Sequence, residues 1–102
     1  MPSLSPEARV RSEITALLQG VGATVFSTSQ NRKSRITKGC PDIFAALPRR
    51  FGWLAVEAKT PDGKSSSEQQ ALETFCAYHG CPLVVGAFDE VFAYLKAVGL
   101  VG

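Results

Sequence analysis

Cysteine is scarce in this sequence and badly spaced for a framework. Cys40, Cys76 and Cys81 make an odd number and no Cys-x-x-Cys pair, so neither a disulfide scaffold nor a cysteine zinc site is supported, and reduced thiols are the plainer reading. Long apolar runs are missing too: nothing approaches the roughly 20 residues that span a bilayer, and Met1-Pro2-Ser3-Leu4-Ser5-Pro6 lacks the apolar segment of a signal peptide. A soluble, intracellular chain without a membrane partner is expected. There are no internal repeats or low-complexity stretches, and 102 residues at 45% hydrophobic content suit one core with no room for a second. Residues 1–102 are therefore expected to form a single domain.

Net charge is also small, +2, but it is unevenly placed. Arg32, Lys33, Arg35, Lys38, Arg49 and Arg50 are six of the eleven basic residues, in a stretch whose only acid is Asp42. A local positive surface is expected there. Stacking aromatics are not interleaved with it, so Arg32, Lys33, Arg35 and Lys38 would supply salt-dependent phosphate contacts and no base code. A merely solvated basic loop is the alternative.

What is present reads as alternating helices and strands. Ser5-Pro6-Glu7 has the form of a helix start, with serine as N-cap, proline at the first helical position and an acid in the first turn. Val10, Ile14, Leu17, Leu18 and Val21 recur at helical spacing until Gly20 and Gly22. Residues 23–28 have strand composition; residues 29–38 read either as a loop or as the weakly paired arm of a hairpin. Residues 40–47 and 52–59 are expected to form a hairpin joined by Pro48-Arg49-Arg50-Phe51. After a turn at Thr60-Pro61-Asp62-Gly63-Lys64, a helix from Ser66 or Ser67 to Gly80 is expected to bury Leu72, Phe75, Cys76 and, less clearly, His79. The apolar run 82–87 looks like a central strand covered on both faces. Asp89 is expected to cap a last helix bearing Val91, Phe92, Leu95 and Val98. Because the last strand follows a helical crossover, the chain is expected to be a mixed α/β domain of order α-β-β-β-α-β-α.

One constellation carries chemistry. Glu57 and Lys59 are two residues apart, so they share a strand face, in an otherwise apolar run, Trp53-Leu54-Ala55-Val56. Asp42 lies on the neighbouring strand. Hydrolysis of a phosphodiester with Mg²⁺ or Mn²⁺ needs hard oxygen ligands, which Asp42, Glu57 and the backbone carbonyl of Ala58 can supply. Lys59 can then orient the attacking water or offset charge on the phosphorane.

Gly39-Cys40-Pro41-Asp42, then Val56-Glu57-Ala58-Lys59-Thr60, then Gly63-Lys64 and Ser66-Ser67-Glu68-Gln69 closely resemble the VRR-NUC branch of the PD-(D/E)xK nuclease superfamily, over nearly the whole of residues 7–86. The resemblance implies a restriction-endonuclease-like mixed sheet flanked by helices. It further implies Asp42 and Glu57 as metal ligands, Lys59 as the catalytic lysine, Gln69 as an auxiliary active-site residue, and a glutamate of the first helix that touches metal directly or through water. Glu7 matches that glutamate in its spacing from Val10. At about 100° per residue Glu7 and Glu13 flank the apolar stripe on opposite sides, so geometry leaves both open. Ser65 and Ser67 stand where the family usually has an aliphatic residue and a proline, and the valine-arginine-arginine sequence is not evident; Pro48-Arg49-Arg50 is only suggestive. The implied activity is a metal-dependent endodeoxyribonuclease acting on branched or duplex DNA, resembling Holliday-junction resolvases. A homodimer is expected, in the cytoplasm of a bacterial or phage-infected cell. A nickase or flap endonuclease of DNA repair or replication is one alternative, and an inactive DNA-binding module is another.

Each residue also has a plainer role. Glu57 and Lys59 would make a same-face ion pair on an exposed sheet, Gln69 would complete a capping box with Ser66, and Asp42 would be a turn residue leading into a strand. Glu13 would be a solvated helix residue, His79 a cation at a helix C-terminus, and Cys40 a small packing residue.

Overall fold

The computed structural model describes residues 5–27, 40–63 and 67–102. α1 spans Pro6–Gly20, and its start is built as the sequence suggests: Ser5 Oγ accepts from the Ala8 N–H at 3.1 Å, with Pro6 in the first turn. Ile14 and Leu18 are fully buried, and Val10, Leu17 and Val21 pack beside them. The helix closes where Gly22, at φ 95°, donates to the Gln19 carbonyl, a left-handed turn that glycine adopts without penalty.

β1 (Thr24–Ser27), β2 (Ile43–Ala46) and β3 (Trp53–Ala58) follow, then α2 (Ser67–His79), β4 (Leu83–Gly86) and α3 (Phe88–Ala97). The four strands lie in the order β1-β2-β3-β4, the first three antiparallel and β3-β4 parallel. The expected element order and mixed sheet are therefore what the chain forms. β2 and β3 are joined through Pro48-Arg49-Arg50-Phe51, with Leu47 N–H donating to Gly52 O at 2.8 Å and Arg49 at φ 57°.

Register sets the faces. Ile43 pairs with Val56 and Ala45 with Leu54; all four are buried against α1 and α3, with Val91 and Leu95 from α3. Fully burying Ile43, Leu54 and Val56 contributes about 1.5–3 kcal/mol each. Phe44, Trp53 and Ala55 point to the opposite face, where they line an apolar cavity of about 460 Å³ with Leu72 and Cys76 of α2.

Three expectations are corrected. β4 is an edge strand, half-buried throughout, because the parallel crossover adds it outside β3. α2 contributes no buried residue: Leu72 and Cys76 are half-buried, Phe75 is 55% exposed and His79 is exposed. Its apolar stripe covers the sheet only loosely. Ala87 rather than Asp89 is the N-cap of α3, and the Glu90 carboxylate closes that end by accepting from the Ala87 N–H at 2.8 Å. Of the last helix's apolar residues, Val91 and Leu95 are buried while Phe92 and Val98 are exposed. No helix among the described residues is long and apolar enough to cross a membrane.

Candidate active site

The register that buries Ile43 against Val56 places Asp42 opposite Glu57 one step further on, at the end of β2 and β3 and on the face turned away from the main core. Pro41 then falls opposite Ala58. Ala58 N–H points toward β2, but it finds a side chain there: Asp42 Oδ2 accepts from it at 3.0 Å. In an antiparallel pair a residue's N–H and C=O leave the strand on the same edge, so the Ala58 carbonyl also faces Asp42. Its ladder partner would be the N–H of Pro41, which proline lacks. Pro-Asp thus does two things at once: it ends the ladder, and it leaves a carbonyl oxygen beside a carboxylate.

Glu57 is 5% exposed. Its Oε2 accepts from Gln69 Nε2 at 2.6 Å and lies 3.7 Å from Lys59 Nζ, and Lys59 Nζ donates to Gln69 Oε1 at 3.1 Å. The amide of Gln69, in the first turn of α2, therefore bridges the carboxylate and the ammonium. Glu57 Oε1 is buried and has no hydrogen-bond partner among the described residues. Burial, and after it the charge of Asp42, pushes the Glu57 carboxyl up from 4.5 to about 7, against the pull of Lys59. Burial raises Asp42 as well, opposed by the Ala58 N–H and by Arg11. The exposed-sheet alternative for the Glu57–Lys59 pair does not describe this arrangement, because the carboxylate is buried and faces a second one.

Of the two candidate glutamates, Glu7 is the one whose charge is felt at Asp42 and Glu57. Glu13 lies elsewhere, beside Ala16, Leu17 and Phe88. Glu7 Oε1 is held by Arg11 Nη1 at 3.1 Å, one helical turn on. Arg11, whose cation also lowers Asp42, was not singled out by sequence. The available signal was its position four residues after Glu7, the spacing at which an acid and a base meet on a helix.

The cluster suits a small hard cation. Among the described residues no group of three histidine, cysteine or carboxylate side chains lies close enough to hold a metal. Mg²⁺ is commonly held by only one or two carboxylates, with waters completing the octahedron. Asp42, the orphaned Oε1 of Glu57 and the Ala58 carbonyl make such a set, all oxygen. Glu7 reaches it only from the rim.

The expected DNA contacts Arg32, Lys33, Arg35 and Lys38, the loop-or-hairpin stretch around them, and Ser66 of the capping-box alternative lie outside the described residues. Arg49 and Arg50 are exposed at the hairpin tip, where the Arg49 guanidinium sits 5.5 Å above the Phe51 ring. His79 stands exposed in the last turn of α2, its ring tilted against Phe75 with centroids 4.4 Å apart, in keeping with a role at the helix C-terminus, and Cys40 is half-buried, in keeping with packing.

No protein-family model and no curated protein matches the chain. Among solved structures, a VRR_NUC domain superimposes with a TM-score of 0.71 at 26% identity, covering 91% of this chain and 97% of its own. With that likeness spanning almost all of both chains, and with the motif residues gathered at one end of the sheet, the chain is similar to a VRR_NUC domain and has its nuclease-type fold.

Proposed function

We propose that the chain is a metal-dependent endodeoxyribonuclease that hydrolyses phosphodiester bonds in branched or duplex DNA, as a homodimer. The observation that carries this reading is the buried, unpartnered Oε1 of Glu57 beside Asp42: two neighbouring carboxylates, one with an unsatisfied oxygen, repel each other when both are ionised, and a bound cation would relieve that cost.

Asp42, Glu57 and the Ala58 carbonyl would hold the ion, and Glu7 would support it through water. Once bound, Mg²⁺ or Mn²⁺ would supply Lewis-acid polarisation of the phosphate and an acidified water. Lys59 is held by Gln69 and by Glu57, so its ammonium is fixed before substrate arrives and needs no reorganisation to meet charge on the phosphate oxygens. Gln69 keeps Glu57 Oε2 occupied, so Oε1 is the oxygen that would ligate the ion. Arg32, Lys33, Arg35 and Lys38 would bind the DNA backbone.

Supercoiled, linear, flap, single-stranded and four-way-junction DNA incubated with Mg²⁺ or Mn²⁺ tests the activity and its structure preference together. Glu57→Ala and Lys59→Ala should each lower cleavage by about a hundredfold or more while the fold is retained. Equal cutting of linear duplex and junction would remove the resolvase part of the proposal. DNA binding that survives both substitutions, with no cleavage by the parent chain, would instead identify an inactive binding module.

A further inference from the structure

On the side of α2 remote from Gln69, the way the helix ends brings together two thiols that lie five residues apart in sequence. α2 closes at His79, Gly80 follows at φ 73°, and Cys81 N–H donates back to the Cys76 carbonyl at 2.9 Å. This is the closure in which the left-handed residue lets the chain reach back and sets the flanking side chains against each other, usually as a hydrophobic contact. In this chain both flanking positions are cysteine. Both residues line the apolar cavity under α2 as well as a smaller pocket formed with Glu73, Ala77, Leu83 and Val85. A direct backbone hydrogen bond between two residues keeps their Cα atoms inside the roughly 4.4–6.8 Å that a disulfide spans.

We propose that Cys76 and Cys81 form an oxidisable dithiol, which a peroxide closes to an intramolecular disulfide tying the end of α2 to the chain leading into β4. Cys81 is exposed and Cys76 half-buried, so the peroxide reaches Cys81 first. Its thiol is oxidised to the sulfenic acid with loss of one water. The Cys76 sulfur then attacks the Cys81 sulfur: the S–S bond forms, the S–O bond breaks, and the hydroxyl leaves with the Cys76 proton as a second water. Two thiols and one hydrogen peroxide thus give one disulfide and two waters. Burial and the neighbouring Cys81 raise the Cys76 thiol, in keeping with its role as the resolving and not the first-reacting sulfur. Tethering matters at this place because α2, which carries Gln69 at its other end, has no buried residue to hold it. The inference stands whether or not the chain cuts DNA.

The test treats the reduced, folded chain with about one equivalent of hydrogen peroxide, alkylates the remaining thiols, and reads intact mass and peptides. The expected product is monomeric, lighter by about 2 Da before alkylation for the two hydrogens lost, with a linked 76–81 peptide and Cys40 fully alkylated. Cys76→Ser should instead accumulate a sulfenic acid at Cys81 that a dimedone probe captures, and Cys81→Ser should leave Cys76 reduced. A disulfide that includes Cys40, a disulfide between chains, or uptake of oxygen without any disulfide in the parent chain would overturn the proposal.

Discussion

Glu57 holds its charge against its surroundings, and the consequence is measurable. Its carboxyl lies near 7 in the folded chain against an ordinary 4.5, chiefly through burial. The native state therefore binds this proton more tightly than the unfolded state. In metal-free solution its contribution to stability is fully present below pH 4.5 and is lost as pH rises to about 7, a difference of about 3 kcal/mol at 1.36 kcal/mol per unit. Glu57→Gln keeps the shape and the Gln69 contact and has no charge to bury. In a chelator the variant and the parent should unfold at similar temperatures near pH 4, while at pH 8 the variant should melt at least about 5 °C higher. A gap that does not change with pH would show that Glu57 is not raised. Mg²⁺ should close the gap from the parent's side. Arg11 is the complementary case. Its cation pairs with Glu7 and its charge is felt at Asp42, so Arg11→Ala should tighten Mn²⁺ binding several-fold by calorimetric titration, since a repelling charge is gone. With Glu7 exposed, the Arg11–Glu7 pair itself contributes only about 0.2–1 kcal/mol to stability. Weaker Mn²⁺ binding in Arg11→Ala would mean that Arg11 organises the ligands.

At the scale of elements, the junction of β4 and α3 supports the end of β3. Gly86 adopts φ 151°, and a Cβ there would meet Glu90 Cγ at 2.5 Å and Oε1 at 2.7 Å. That same Oε1 accepts from Ala87 N–H, and the Gly86 carbonyl accepts from Lys59 N–H at 2.8 Å. Gly86→Ala should therefore cost about 1–3 kcal/mol in chemical denaturation, displace the Glu90 cap, and lower cleavage by moving Lys59. Adding Glu90→Ala should cost little more, because the first substitution has already broken that cap; full additivity would refute the clash. Legibility in the sequence differed element by element. α1 and the β2-β3 hairpin were readable because their cap residues, periodicities and turn lie next to one another in the chain. Asp42, Glu57, Lys59 and Gln69 were recognisable as a motif for the same reason, and the structure gathers them. β4 was misjudged as central because a short apolar run is the same whether both faces are covered or one edge is open. The stripe on α2 gave a direction but no partner, so Phe75 was expected to be buried and is 55% exposed. Arg11 belongs to this class, since its nearness to Asp42 depends on how α1 is set against the end of the sheet.

At the scale of the molecule, the described residues hold one carboxylate cluster, at one end of one sheet, so under the proposed function each chain would bring one such centre to DNA. A four-way junction presents two symmetry-related phosphates, and an isologous dimer is the commonest way for identical chains to present two equivalent sites. The proposed homodimer therefore predicts a specific behaviour on mixing. When parent chain is combined with excess Glu57→Ala chain and allowed to exchange subunits, nearly every parent chain should sit in a dimer with one working centre. Those dimers should nick one strand of the junction, so single-strand cuts should accumulate while paired cuts fall with the square of the parent fraction. Independent monomers would behave differently: the two kinds of cut would fall together, in linear proportion to the parent chain present. Denaturing gels of a junction labelled on opposite strands separate these outcomes, and linear loss of both products would discard the dimer while leaving the assignment of the carboxylate centre in place.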